Sequence, residues 1–138
     1  MKYLIVILSL SLAPSLSACP LLDAIAAIES ENGARQVGDG GAAIGVYHIH
    51  CIYVDEVNRI LGRKEYTYQD RKNKQRSEEM IRIHLTYWGN KYVDETNKKA
   101  TYEILARIHN GGPYGWRDSK TKHYWNKISQ YMENNNDR

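Results

Sequence analysis

A glutamate interrupts the apolar stripe of the first helix that the sequence predicts. Residues 24–33 form a short apolar segment that ends in a Glu-Ser pair and stops at Gly33, a residue suited to the left-handed position after a helix. At 100° per residue, Glu29 shares a face with three apolar residues, Leu22, Ile25 and Ala26. Glu31 points towards the polar side. Burial raises the pKa of a carboxyl group, which suits a general acid at neutral pH, so Glu29 is a candidate proton donor. A helix-end glutamate that simply reaches water is the alternative.

A glycine-rich loop follows this helix. Five glycines fall within residues 33–45, which indicates unusual backbone angles and a close approach to another group. Residues 46–50 then alternate, which predicts a short extended stretch with His48 and His50 on one side. Two imidazoles without an obvious third ligand are a weak metal signal, because closed sites normally use four ligands. We therefore expect no metal and no other cofactor, and a small irregular or β element near residues 43–50.

Apolar periodicity predicts a second and a third helix. The second spans residues 51–61 and is closed by Gly62. Residues 67–74 are polar and predict a connector. The third helix begins at about Ser77, and Gly89 is expected to end or bend it.

Two more helices complete the expected fold. Residues 100–108 predict one helix, with Thr101 as its cap and an abrupt end in the turn cluster of residues 109–113. Ser119 is expected to cap a last helix that runs to about Tyr131. The sequence shows no internal repeat, so it predicts a mainly α fold with a single domain.

The N-terminus has the pattern of an export signal. Residues 1–18 combine a positive end, an apolar run too short to span a bilayer as a mature helix, and a small-residue region. Residues 16–19 also resemble the lipobox of bacterial lipoproteins, in which Cys19 would become a lipid-modified membrane anchor. Alternatively, simple cleavage leaves Cys19 free to form a disulfide with Cys51. Both interpretations place the mature domain, residues 19–138, in the cell envelope or periplasm, or outside the cell.

Composition and charge limit the classes of molecule that the protein is expected to bind. The chain has 138 residues, of which 42% are apolar and 25% charged, values typical of a globular domain. The net charge is +3, but residues 20–58 carry −5 and residues 59–92 carry +5. A basic segment beside an acidic one favours an anionic polymer as partner. An exported protein without a strong basic excess is not expected to bind nucleic acid.

Three short motifs stand in a meaningful order along the chain. They are Glu29-Ser30, then Gly45 with Ile49, then Ile108-His109-Asn110 followed by two glycines. Over roughly residues 20–131, the chain resembles the lysozyme-like superfamily, in particular its lytic transglycosylase and goose-type lysozyme branch. Each motif alone is a weak signal, whereas three in the right order and spacing are considerably stronger.

The resemblance implies a fold, an activity and a set of site residues. The fold would be a single lysozyme-like helical domain. Glu29 would protonate the glycosidic oxygen between N-acetylmuramic acid and N-acetylglucosamine in the glycan strands of peptidoglycan. Four residues would bind the substrate: Ser30, His48, His109 and Asn110. Ser30 would help to position the substrate or the acid, and Asn110 would contact the sugar near the scissile bond. His48 stands where the family usually has glutamine, and since imidazole titrates near neutrality, activity could depend on pH. This departure keeps open the alternative of a non-catalytic module that binds wall glycan or another protein.

A second carboxylate would distinguish hydrolysis from transglycosylation. An inverting hydrolase needs a base that holds water, whereas a lytic transglycosylase closes the sugar on itself and needs none. Asp39, in the glycine-rich loop, is the best candidate for that base, although a Gly-Asp-Gly-Gly run is also an ordinary turn. The sequence leaves the two reactions open.

Overall fold

The positions of caps and glycines set the ends of five helices in the computed structural model, which describes residues 19–135. The predicted export signal, residues 1–18, lies outside the described residues. The helices are α1 (Pro20–Ser30), α2 (Cys51–Leu61), α3 (Lys74–Thr96), α4 (Tyr102–Gly111) and α5 (Thr121–Asn135). Three short 3-10 turns (Asp39–Gly41, Tyr68–Lys72 and Gly115–Arg117) and two short strands, β1 (Val37–Gly38) and β2 (Ala43–Ile44), connect them. The predicted mainly α fold with a small β element is confirmed.

Two predicted helix boundaries are confirmed, and the end of the first helix differs from the prediction. Gly62 closes α2 in the left-handed region, at φ 68°. The Thr101 side chain accepts a hydrogen bond from the Ile104 N–H and so caps α4. The first helix ends at Ser30 rather than at Gly33, because Glu31 already adopts left-handed angles at φ 53°.

The third helix is longer than predicted, and it continues past Gly89 to Thr96. It begins at Lys74 because the side chain of Asn73 accepts a hydrogen bond from the Arg76 N–H. Gly89 is buried within the helix, and a Cβ atom there would lie 3.0 Å from the Leu105 side chain. The glycine therefore lets α3 and α4 approach closely.

The last two helices also differ from the prediction at their ends. The fourth continues through residues 109–111, and the chain leaves it at Gly112, which has φ 81° and precedes Pro113. The fifth begins at Thr121, two residues after the predicted Ser119 cap, and reaches Asn135.

The β element forms where it was expected, but its second half is a turn. The two strands pair antiparallel, with Val37 opposite Ile44, and a single bridge joins Ile44 to Ile49. The predicted extended stretch over residues 46–50 is wrong. His48 has left-handed backbone angles, at φ 48°, and its N–H bonds back to the Gly45 carbonyl.

Helix α4 lies at the centre of the helix packing. It packs against α1, α3 and α5, and α2 packs against α3 on the other side. The core contains fully buried residues from every helix, among them Ile25, Val54, Met80, Ile108 and Ile128. Both cysteines in residues 19–135 are free, so Cys19 and Cys51 do not form a disulfide there. None of the described helices is long and apolar enough to cross a membrane.

Candidate active site

Ser30 fixes the end of α1 to the glycine-rich loop. Its fully buried hydroxyl donates to the Val46 carbonyl at 2.6 Å and accepts from the Gly33 N–H at 2.8 Å. These bonds tie the helix end to the turn that carries His48. Ser30 therefore lies beneath the site and joins α1 to this turn, and its predicted role in positioning the substrate or the acid stays a prediction.

Glu29 projects from the last turn of α1 into a largely enclosed space, with 20% of its side chain exposed. Its Oε2 lies 3.7 Å from Nδ1 of His48, and its Oε1 lies 3.7 Å from Nε2 of His109. Burial raises the pKa of the Glu29 carboxyl group above its ordinary value. At any given pH, Glu29 is thus protonated to a greater extent than an ordinary glutamate, which suits a general acid.

Glu31 has the environment that the helical wheel assigned to it. Its side chain is 60% exposed and forms a surface ion pair with Arg35 at 3.0 Å, four residues along the chain. The glutamate that reaches water at the end of this helix is therefore Glu31 and not Glu29.

His109 and Tyr124 complete the wall around Glu29 from α4 and α5. Burial lowers the pKa of His109 to about 3, so its contact with Glu29 is between a neutral imidazole and a carboxyl group rather than an ion pair. The Tyr124 hydroxyl faces Glu29 and partly offsets the raised carboxyl pKa, although its oxygen makes no hydrogen bond of ordinary length. Both residues supply neutral polar groups to a half-buried acid.

The glycine-rich loop brings Asp39 near the site together with His50. The two side chains form a hydrogen bond of 2.8 Å between Nε2 and Oδ2, and Asp39 is 70% exposed. The negative charge of Asp39 also raises the pKa of Glu29, which places it within electrostatic range of the acid. The sequence identified Asp39 but missed this pairing, because His50 was considered only as a partner of His48.

Within the described residues, no group of three or more His, Cys, Asp or Glu side chains has the arrangement of a metal site. His48 and His50 point to different partners. His48 contacts the Arg35 carbonyl through Nε2 at 2.7 Å, and His50 contacts Asp39. The alternation of residues 46–50 could not separate them because the backbone turns there.

Arg71 holds the loop from the opposite side and was not identified from the sequence. Its guanidinium donates to the carbonyls of Ala42 and Ile49, at 3.1 and 3.2 Å. Its own carbonyl accepts from the Ser77 hydroxyl at 3.0 Å and lies directly against Gly45. A basic residue in a polar connector carries no sign of this role, since the contact depends on how distant segments meet.

Asn110, the remaining predicted site residue, is exposed near the end of α4. A buried arginine fixes the chain after it. Arg107 donates to the Thr121 hydroxyl at 2.9 Å and to the Asp118 carbonyl at 3.2 Å, and it pairs with Glu103 at 3.1 Å. This network orders the segment that follows the predicted Asn110 turn.

A cavity of about 450 Å³ lies next to His109, one of the residues that surround Glu29. It is lined by side chains of α2 and α3 and by the turn after α4: Ile52, Tyr53, Glu56, Arg59, His84, Trp88, Gly112 and Pro113. Glu29 is not in this lining, but Tyr53 is, and its ring meets the His109 ring edge-on at 5.8 Å. A second depression of about 280 Å³ shares Trp88 and Pro113 with the first. Trp88 thus lines both hollows.

Two buried polar atoms in the larger cavity have no protein partner. They are the Tyr53 hydroxyl and Nδ1 of His84, whose rings stack at 4.2 Å. Burial lowers the pKa of His84 to about 4, so its imidazole is neutral at neutral pH. The cavity therefore combines a mostly apolar surface with these two uncharged groups and with the ion pair of Glu56 and Arg59 in its lining.

The helical fold, the small β element and the half-buried glutamate at the end of the first helix are consistent with a lysozyme-like mainly α domain. No family model matches this chain. Over 40 residues it is 45% identical to a protein named lysozyme from Magallana gigas. The aligned segment covers 29% of this chain and 29% of that protein. This partial similarity supports a lysozyme-like relationship.

Proposed function

We propose that this protein is a glycosidase that cleaves the β-1,4 bond between N-acetylmuramic acid and N-acetylglucosamine in peptidoglycan. The observation that carries the proposal is the environment of Glu29. It is a half-buried carboxyl group with a raised pKa, flanked by two imidazoles. One of these, His109, contacts Tyr53, which lines the larger cavity. The partial similarity to a lysozyme favours the same class of substrate.

In the proposed reaction, Glu29 donates its proton to the glycosidic oxygen while the bond to the anomeric carbon breaks. The sugar then has oxocarbenium character, and either water or the sugar's own C6 hydroxyl attacks it. Asp39, paired with His50, is the nearby carboxylate that could hold the water of a hydrolase. If the C6 hydroxyl attacks instead, the Glu29 carboxylate takes back a proton and no second carboxylate is needed.

Digestion of purified sacculi followed by mass analysis of the soluble products tests the proposal and separates the two reactions. Reducing-end muropeptides would indicate hydrolysis, and anhydromuramyl products would indicate transglycosylation. Sacculi that bind the protein but release no soluble fragments would contradict the proposed activity and support a non-catalytic glycan-binding module. Glu29→Gln serves as the inactive reference in each assay.

Trp88 is expected to contribute to substrate binding because it lines both hollows. Its indole N–H donates to Glu56 at 3.0 Å, which fixes the ring as a wall to the larger cavity. Sugars bind aromatic faces, so Trp88→Ala should raise KM for soluble glycan oligomers about tenfold and change kcat little. Trp88→Phe keeps an aromatic face and is the matched control. Equal KM values for wild type and Trp88→Ala would remove Trp88 from the binding surface.

We also propose that the protein is exported, with Cys19 as its lipid-modified first residue. Cys19 directly precedes α1 and packs against the core. Labelling of the expressed full chain with radioactive palmitate should mark the wild type and leave Cys19→Ala unlabelled. Cys51→Ala is the control and should keep the label. An unlabelled wild type that is still recovered outside the cytoplasm would contradict lipidation and leave simple secretion.

A further inference from the structure

The His48 ring is held in one orientation by the backbone around it. Its Nε2 lies 2.7 Å from the carbonyl oxygen of Arg35. A carbonyl oxygen only accepts hydrogen bonds, so Nε2 must carry a proton in both charge states of the ring. The nitrogen that gains or loses a proton is therefore Nδ1.

That nitrogen faces Glu29. The distance from Nδ1 of His48 to Oε2 of Glu29 is 3.7 Å, and the two side chains are 15% and 20% exposed. When His48 is neutral, its Nδ1 offers a lone pair to the protonated carboxyl group. When His48 is charged, Nδ1–H faces the carboxylate. At 3.7 Å the two atoms are beyond hydrogen-bond distance, so a proton passes between them only when the two side chains close by several tenths of an ångström.

The local backbone is shaped to accept this ring. A Cβ atom at Gly38 would lie 2.9 Å from both Cε1 and Nδ1 of His48, so the strand β1 has a glycine where the ring needs space. His48 itself adopts left-handed angles, at φ 48°, a conformation that is unfavourable for a non-glycine residue. The surrounding contacts therefore fix the imidazole against Glu29.

We propose that His48 is a positioning residue that shares a proton with Glu29 through Nδ1 and returns it to Oε2 after the acid has acted. The proposal rests on the proposed function in its hydrolytic form, in which Asp39 takes the proton of the attacking water and Glu29 is left as a carboxylate. In the other route the C6 hydroxyl itself returns a proton to Glu29, and the step from His48 is not needed. In the return step, the N–H bond at Nδ1 breaks and an O–H bond forms at Oε2, leaving a neutral imidazole and a carboxylic acid. Solvent reaches the partly exposed ring and supplies the next proton.

The other groups that face Glu29 do not offer this exchange. His109 on α4 stays neutral because burial lowers its pKa to about 3. Burial also raises the pKa of Tyr124 on α5 well above its ordinary value, so the phenol keeps its proton. Asp39 and His50 on the loop act on Glu29 with opposite electrostatic effects and pair with each other. The Arg35 side chain is turned to Glu31 at the surface.

A titration without substrate tests the pairing. The ¹³C shift of the Glu29 carboxyl group should change in two steps in the wild type, because coupled sites titrate as a pair. In His48→Gln the amide can still donate to the Arg35 carbonyl but cannot take up a proton. The step that reports coupling to His48 should then disappear, while any coupling of Glu29 to Asp39 and His50 remains. The main step of Glu29 should move upward by about one pH unit, since the positive charge of His48 that lowers the pKa of Glu29 is gone. His123→Gln replaces an exposed imidazole on α5 and should leave the two-step curve unchanged.

The same change should appear in the pH profile of kcat/KM, whose alkaline limb moves upward in His48→Gln. A purely structural role would lower the activity at every pH and leave the limb in place. If the ¹³C shift of Glu29 changes in a single step in the wild type, that result alone would overturn the proposal. A two-step curve in a protein that releases nothing from sacculi would sustain the proton pair and contradict the proposed function, so the two failures are distinct.

Discussion

Glu29→Gln should lower the rate of glycan release from sacculi about a hundredfold or more, because general acid catalysis typically contributes a factor of about 10² to 10⁴. The amide has nearly the same shape as the carboxyl group but cannot give a proton to the glycosidic oxygen. Glu31→Gln is the matched control, two residues away on the exposed side of the chain. It should retain nearly full activity. Equal losses in both variants would show that the carboxyl at Glu29 has no special role.

The same substitution has a predicted effect on stability, which separates loss of chemistry from loss of fold. A carboxyl group whose pKa is raised on folding contributes most stability below its unfolded value, near 4.3, and loses that contribution as the pH rises through the folded value. Above the folded pKa the native state must therefore hold a carboxylate that burial disfavours. Urea denaturation should find Glu29→Gln at least as stable as wild type at pH 7, with a smaller advantage at pH 4. A variant that is inactive and less stable at pH 7 would contradict this account.

The sequence was sufficient for features that depend on local pattern. The apolar stripe placed Glu29 on the buried face of α1 and separated it from Glu31, and Gly62 and Thr101 marked the ends of two helices. These signals work because helix caps and amphipathic faces are determined by residues within one or two turns.

The sequence was insufficient where distant segments meet. The contact between Glu29 and His109 requires α1 to pack against α4, and the role of Gly89 depends on the Leu105 side chain of another helix. His50 could not be assigned to Asp39 because the turn at His48 reverses the direction that alternation predicts. Arg71 likewise has no local signal, because its guanidinium binds two carbonyls that are distant in sequence. Tertiary packing decides each of these positions.

The turn that carries His48 depends on a glycine that tolerates no side chain. Gly45 has φ 86°, and a Cβ atom there would lie 1.8 Å from the Arg71 carbonyl oxygen. That oxygen cannot retreat easily, because it accepts from the Ser77 hydroxyl while the Arg71 guanidinium binds two carbonyls of the same loop. The clash is therefore between two backbone segments that are both fixed.

Gly45→Ala should destabilise the protein by about 4 kcal/mol or more, a loss of the size reported for severe backbone and packing conflicts. Urea denaturation measures it as a fall in the transition midpoint with little change in slope. Gly40→Ala is the matched control in the same loop. Gly40 also has a positive φ, of 63°, but nothing lies within 4 Å of the added carbon, so only the backbone strain of about 1 kcal/mol is expected. Equal losses in the two variants would mean that strain alone, and not the contact with Arg71, explains the glycine at position 45. Because Ser30 ties α1 to the same turn, a protein that folds with Gly45→Ala should also have the His48 ring displaced from Glu29 and reduced activity.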